Sequence, residues 1–391
     1  MIKLIKGGEV YGPHYMGKMN ILIVSDKIGA VKKDLSVGDD TLEIEVIDAA
    51  GKYVMPGLID AHVHIIGGGG EGSFRTRTPE IMLSQITLGG VTTVVGCLGT
   101  DGTTRDMKGL LAKARGLEEE GISTYIYTGS YQVPVKTITG SPMDDIILID
   151  KIIGVGEIAI SDHRSSQPTV EDIAKLTAEA RVGGILSGKA GIVNIHMGDG
   201  ERQLDDLIEI IENTEIPTTQ FLPTHINRSI KLMEKGIAYG KMGGLMDLTT
   251  SSDPDFLEED EVKASTGLKM ALDAGVPIEQ ITFSSDGQGS MPIFNKHREF
   301  VGLGVGKVSS LYREIKDAVL IDGVSMEDAL KVATSNPARI LKLKNKGSIE
   351  VRRDADLILV DQKTLSIDTV IAKGKVMVQG GQAVVKGTFE E

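Results

Sequence analysis

From about residue 57 to residue 345 the chain alternates between short runs rich in Val, Ile and Thr and longer stretches whose apolar residues recur every three to four positions. The short runs at 57–62, 91–97, 123–129, 157–161, 192–197, 220–225, 245–250 and 281–286 predict strands. Stretches between them, such as TTRDMKGLLAKARGLEEEG and TVEDIAKLTAEARVGGIL, predict amphipathic helices. Eight strand-then-helix units is the number that closes a parallel (β/α)8 barrel of the TIM type. The two ends read differently: residues 1–56 and 347–391 hold short strands such as ILIVSDKIGAV, LEIEVIDA, ADLILVD and GKVMVQGG, separated by Gly and Asp turns. Neither flank is long enough for a domain of its own, and unpaired strands would expose edges. The expectation is therefore an α/β chain with a barrel over 57–346 and a small β-sandwich domain built from 1–56 plus 347–391.

Composition narrows the partners. The chain carries 42 Lys+Arg against 55 Asp+Glu, a net charge of −13, and no basic stripe stands out to follow a phosphate backbone, which argues against nucleic acid. No apolar run approaches the roughly 20 residues that span a bilayer, so no membrane partner is expected. The start, MIKLIKGGEVYGPHYMG, lacks the apolar segment of a secretory signal, which points to the cytoplasm. A single cysteine, Cys97, excludes an intrachain disulfide and a Cys-rich zinc site, and inside an apolar strand it reads as a small buried hydrophobe. Any metal must then rest on histidines and carboxylates.

The candidate chemistry begins at DAHVH, residues 60–64, followed by IIGGGGE. On a strand the side-chain period is two, so His62 and His64 face the same way and can share a metal ion. Further motifs fall at other predicted strand ends: NIHMGD with His196, LPTHINRS with His225 and SSDGQGS with Asp286, while GEIAISDHRS puts Glu157 at the start of the fourth strand. In a barrel of this kind the C-terminal strand ends converge on one mouth. Imidazole and carboxylate donors suit Zn(2+) better than Ca(2+) or Mg(2+), and four His plus one Asp exceed what one catalytic metal takes, which favours two ions with a carboxylate between them. Each member alone has a plainer reading: a single His at a strand end is more often structural, and Asp286 before Gly287 would serve to start a turn. The whole set at matching strand ends outweighs those readings. His163 and His297 lack such company, and His14 in a Gly-Pro turn reads as surface. The Gly67–Gly70 run reads as backbone that approaches a ligand with positive φ, with a flexible connector as the alternative.

At these residues the chain resembles the isoaspartyl (β-aspartyl) dipeptidases of the amidohydrolase superfamily. PGLIDAHVHIIGGGGEG, TRTPE, GVTTVVGCLGTDG, TGSYQVP, TITGS, AISDHRS, HMGD, PTHINR, SSDGQGS and KGTFE follow that pattern in order over nearly the full length. The resemblance implies two zinc ions per subunit, the more buried one on His62, His64 and Asp286 and the more exposed one on His196 and His225. It implies Tyr131 as the group that polarises the scissile carbonyl and Asp286 as general base and acid for a zinc-activated hydroxide. It further implies Glu71 for the substrate's α-ammonium, Arg164 and Arg228 for its carboxylate, and Gly69, Thr100 and Ser290 for the rest of a small dipeptide. A homo-oligomer is implied in the same way. One position departs from the pattern: where the family has a carboxylated lysine, five residues before Asp162, this chain has Glu157, and GVGEIAIS is one residue longer just before it. Glu157 would bridge the metals with the same charge and two oxygens after a small backbone shift; the alternative is a misplaced Glu157 or a single metal. Two other functions stay open at this point: an amidohydrolase acting on cyclic amides, as dihydroorotases and hydantoinases do, and a non-catalytic barrel scaffold.

Overall fold

Among the described residues five strands precede the first predicted barrel strand: β1 (Ile2–Tyr11), β2 (Tyr15–Val24), β3 (Lys27–Lys32), β4 (Ile44–Asp48) and β5 (Lys52–Pro56). The computed structural model describes residues 2–35, 43–252, 257, 260–294 and 300–391. His297 lies outside the described residues. The barrel strands are β6 (Leu58–Val63), β7 (Val91–Gly96), β8 (Ser123–Thr128), β9 (Ile152–Ile160), β10 (Ile192–Met197), β11 (Phe221–Thr224), β12 (Met246–Thr249) and β13 (Ile281–Ser284). A hairpin, β14 (Ser290–Phe294) with β15 (Phe300–Val305), follows, and the chain ends in β16 (Leu357–Asp361), β17 (Ile367–Ala372), β18 (Lys375–Gln379) and β19 (Gln382–Ala383).

Strands β6 to β11 form one continuous parallel sheet in chain order, and β12 pairs in parallel with β13. Side chains join the two pieces. Thr224 Oγ1 donates to Asp247 Oδ2 at 2.7 Å, and the Asn227 amide exchanges hydrogen bonds with the Thr249 backbone at 2.8 and 3.0 Å. At the other join the Ser285 amide donates to Asp60 Oδ1 at 3.0 Å and the His64 amide to the Gly287 carbonyl at 2.8 Å. The eight strands thus curl into the predicted TIM-type barrel.

Alternation along the strands sorts the core. On β10, Val193, Ile195 and Met197 pack with helix residues such as Ile173, Leu176 and Leu207, whereas Ile192 packs with Val95, Tyr127, Leu222 and Leu245 inside the barrel. Asn194 and His196 share the inward face with Ile192 by the same period of two. The helices start on local caps: Asp106 accepts from the Gly109 amide at 2.8 Å, and Thr169 and Asp172 form a capping box ahead of the helix Val170–Ser187.

Both chain ends enter a second sheet of nine strands in the order β19-β18-β17-β16-β5-β1-β2-β3, with β4 also paired to β1. The joint between the ends is the antiparallel pair β5 and β16, from Leu357 opposite Pro56 to Asp361 opposite Lys52. Since β6 follows β5 after one residue, this sheet anchors the strand that carries His62. No helix among the described residues is long and apolar enough to cross a membrane.

Candidate metal centre

His62 lies on β6 and His64 just past its end, both buried. The His62 ring is held by Asn194, whose Oδ1 lies 3.0 Å from Nδ1, so that Nε2 points into the barrel mouth. There His62 Nε2 sits 3.3 Å from Glu157 Oε2 and 3.6 Å from Asp286 Oδ1, while His64 Nε2 lies 3.7 Å and 3.0 Å from the same two oxygens. Donors about 2.0–2.2 Å from a tetrahedral zinc ion lie about 3.3–3.6 Å apart. The observed spacings bracket that value. Moreover, His62 Nε2, Glu157 Oε2 and Asp286 Oδ1 are buried without a hydrogen-bond partner, a cost that a shared cation would remove.

The other oxygen of Glu157 serves a second cluster. Oε1 lies 2.6 Å from His196 Nδ1 and 3.3 Å from His225 Nε2. His225 is oriented by Thr249, whose Oγ1 is 2.7 Å from Nδ1, and His196 by Asp162, whose Oδ2 is 3.1 Å from Nε2. One carboxylate therefore presents one oxygen to each pair of histidines, the arrangement a bridging ligand needs. Among the described residues the two His/Cys/Asp/Glu groups able to hold a metal are both here, and both include Glu157.

Glu157 reaches this place through an extra residue. Between the pairs Val193–Val155 and Ile195–Ile158, β10 advances two residues and β9 three, so β9 bulges at Gly156–Glu157. The strand begins at Ile152, not at 157 as the sequence suggested, and Glu157 stands well inside it. Gly156 has φ 151°, and a Cβ there would lie 2.8 Å from the Asn194 Cβ and 2.9 Å from its carbonyl oxygen, so glycine is required. Lys151 precedes the strand; its Nζ donates to the Thr124 carbonyl at 3.1 Å, far below the mouth.

Charge in the cluster is balanced internally. Burial disfavours ionisation of Glu157, yet His62 and His196 beside it hold its carboxyl well below the usual range. Burial likewise opposes the charge on Asp286, and the facing His64 brings it down. His62 and His64 are pushed down by burial, but the facing Cys97 and carboxylates outweigh that and raise both. His225 falls to about 3, through burial and the neighbouring His196. Burial and the Glu157 charge push the Tyr131 hydroxyl well up, so it keeps its proton; the hydroxyl lies 2.9 Å from His196 Nδ1.

Above the cluster opens a cavity of roughly 680 Å³ whose wall includes Tyr131, Asp286 and all six predicted substrate contacts: Gly69, Glu71, Thr100, Arg164, Arg228 and Ser290. Thr100 Oγ1 donates to Glu71 Oε1 at 2.8 Å, and Arg164 NH1 lies 3.6 Å from the same oxygen. Arg164 also grips Asp162 with two hydrogen bonds, of 2.9 Å from Nε and 2.7 Å from NH2, which leaves NH1 as its outward donor. The contacts of Arg228 with Asp162 and Asp199 are longer, at 3.8 Å. Gly69 (φ 68°) approaches Ser290 so closely that a Cβ would lie 3.1 Å from the Ser290 Cβ. A second cavity of roughly 870 Å³, lined by residues from 160–171 and 199–209, contains neither metal cluster.

His163 has its side chain 91% exposed, and His14 pairs with Glu327 at 2.9 Å on the surface. Sequence reasoning passed over Asn194, Thr249 and Asp162 as ring-orienting partners. Asn194 stands two residues before His196, so the strand period carried its signal. It also treated Cys97 as an inert hydrophobe, whereas the sulfur lies 3.7 Å from His64 Nδ1.

The sequence profile described as "Amidohydrolase family" matches residues 53–377. The chain belongs to the amidohydrolase family. This amidohydrolase superposes on the β-aspartyl dipeptidase of Fervidobacterium islandicum AW-1, solved with a β-Asp-Leu dipeptide, with a TM-score of 0.89 and 50% identity over 98% of each chain. It is 21% identical to the adenine deaminase of Thermosipho africanus over 93% of its own length and 55% of that protein's, and 27% identical to the dihydroorotase of Lactobacillus helveticus over 55% and 49%. The chain thus spans about half the length of these curated relatives.

Proposed function

We propose that this amidohydrolase is a zinc-dependent dipeptidase that hydrolyses the β-aspartyl (isoaspartyl) amide bond of dipeptides. One observation carries the reading: a two-lobed histidine–carboxylate cluster split by Glu157 faces a cavity that offers a carboxylate, Glu71, and two guanidinium groups, Arg164 and Arg228. A β-aspartyl dipeptide presents an α-ammonium and an α-carboxylate on the residue whose side chain forms the amide, so it needs both signs. The likeness to a relative solved with β-Asp-Leu supports the same choice.

His62, His64 and Asp286 would hold one ion and His196 and His225 the other, with Glu157 shared between them. Two such ions supply Lewis acidity and a water of near-neutral pKa. Asp286, kept as a carboxylate, accepts the proton of the attacking water and passes it to the departing amine. Tyr131, kept protonated, donates to the carbonyl oxygen as negative charge develops there, a contribution on the order of a few kcal/mol. Glu71 receives the ammonium, and Arg228 with the outward NH1 of Arg164 receives the carboxylate.

The dihydroorotase similarity favours a second reading, hydrolysis of cyclic amides, which has no use for Glu71 as an ammonium receptor. The zinc-loaded protein assayed with β-Asp-Leu, α-Asp-Leu and dihydroorotate separates the two. Cleavage of β-Asp-Leu alone is expected; turnover of dihydroorotate without it would replace this reading with the second. A cytoplasmic homo-oligomer belongs to the same proposal.

A further inference from the structure

Cys97 follows β7, and its amide donates to the Val63 carbonyl at 3.0 Å, so the chain beside it still runs with the strand that carries the two metal-type histidines. Its side chain turns into the barrel at the level of those rings, above inward-facing Val95. The sulfur lies 3.7 Å from His64 Nδ1, and the ligand atoms of His62, His64, Cys97 and Glu157 all fall within 4.8 Å of one another. All four residues are buried, with exposures of 0%, 5%, 0% and 0%. Two atoms of this group, His62 Nε2 and Glu157 Oε2, have no hydrogen-bond partner. A tetrahedral zinc ion with a sulfur at about 2.3 Å and nitrogens at about 2.0–2.1 Å keeps its donors about 3.3–3.6 Å apart. The four donors, now within 4.8 Å of one another, would close onto such an ion by side-chain rotation.

We propose that Cys97 is a thiolate ligand of the buried metal position, joining His62, His64 and Glu157 there. The inference rests on the metal-dependent reading above and adds to its four protein donors, His62, His64, Asp286 and Glu157, a fifth of a different chemical kind. Binding forms a sulfur–zinc bond and releases the thiol proton to solvent; zinc remains Zn(2+), and nothing is oxidised or reduced. A soft donor selects zinc or cobalt over magnesium, manganese and calcium at this position. It also relieves Asp286 of sole responsibility for completing the coordination, which leaves that carboxylate available to carry a proton.

The test is zinc K-edge X-ray absorption on the full-length zinc-loaded protein, in wild type, Cys97→Ala and Cys97→Ser. A sulfur shell at about 2.3 Å in the wild type, lost in both variants while the nitrogen and oxygen shells persist, is the expected result. Cobalt-substituted wild type gives an answer that needs no variant to fold: a thiolate-to-cobalt charge-transfer band in the near ultraviolet. Nitrogen and oxygen shells alone, with no such band, overturn the thiolate ligand. If β-Asp-Leu is still cleaved in that case, the dipeptidase reading survives the failure. A wild type that holds no zinc and leaves β-Asp-Leu intact overturns both.

Discussion

Glu157 has no spare oxygen: one faces His62 and His64, the other His196 and His225. Glu157→Gln keeps the shape and removes the charge, so on the proposed two-ion centre zinc per chain should fall from two to one in elemental analysis. Activity on β-Asp-Leu should drop by more than the roughly 10- to 100-fold loss of metal affinity expected of Asn194→Ala or Thr249→Val, which only release a ring from its orienting partner. Glu71→Gln acts on substrate instead of metal. Losing a charge-assisted hydrogen bond worth about 1.5–3 kcal/mol should lower kcat/KM about 10- to 100-fold, mainly through KM, with zinc content unchanged. At this scale the sequence was informative wherever a residue repeated a pattern, as with His62 and His64 one residue apart. It was silent where a role depends on a neighbour from a distant strand. Nothing in AISDHRS announces that Arg164 spends two of its donors on Asp162, and nothing in VVGCLG announces the His64 imidazole 3.7 Å from the Cys97 sulfur.

The bulge in β9 is the element on which the centre depends. Gly156→Ala would place a methyl group 2.8 Å from the Asn194 Cβ at a φ that alanine rarely adopts. The expected outcome is a loss of about 1–3 kcal/mol in unfolding free energy together with loss of zinc, read by denaturant melts and metal analysis on the same preparation. A variant that melts earlier yet keeps two zinc ions would show that the bulge supports β9 without aiming Glu157. Most barrel strands were legible from Val, Ile and Thr runs to within two residues at either end. The fourth was not, because GVG reads as a turn when the pairing strand is unknown. Its glycines make room for β10: a Cβ at Gly154 would lie 2.4 Å from the Ile192 carbonyl oxygen.

Across the whole molecule the proposed metal centre would couple metal, protons and stability. His62 and His64 are raised in the fold despite burial, by Cys97 and the facing carboxylates. Their protonation stabilises the metal-free protein fully below the unfolded imidazole value of about 6.5, and that share is lost as pH rises through the raised folded values. Zinc needs those nitrogens bare, so its contribution runs the opposite way. The rise in Tm on adding zinc should therefore be larger near pH 8 than near pH 5.5, as measured by calorimetry on stripped and reloaded protein. The pairing of the two chain ends was legible as a need, since each flank held strands without partners, but the choice of β5 and β16 as the joint was set by contacts no local pattern records. That joint also orders events at the ribosome. The β5 edge destined for β16 emerges before the entire barrel and its partner after it, and at roughly 5–20 residues per second the interval is on the order of tens of seconds. For that time the nascent chain carries a bare sheet edge next to the strand that carries His62, so this is the stretch where a holding chaperone or a slow codon run would have most to protect.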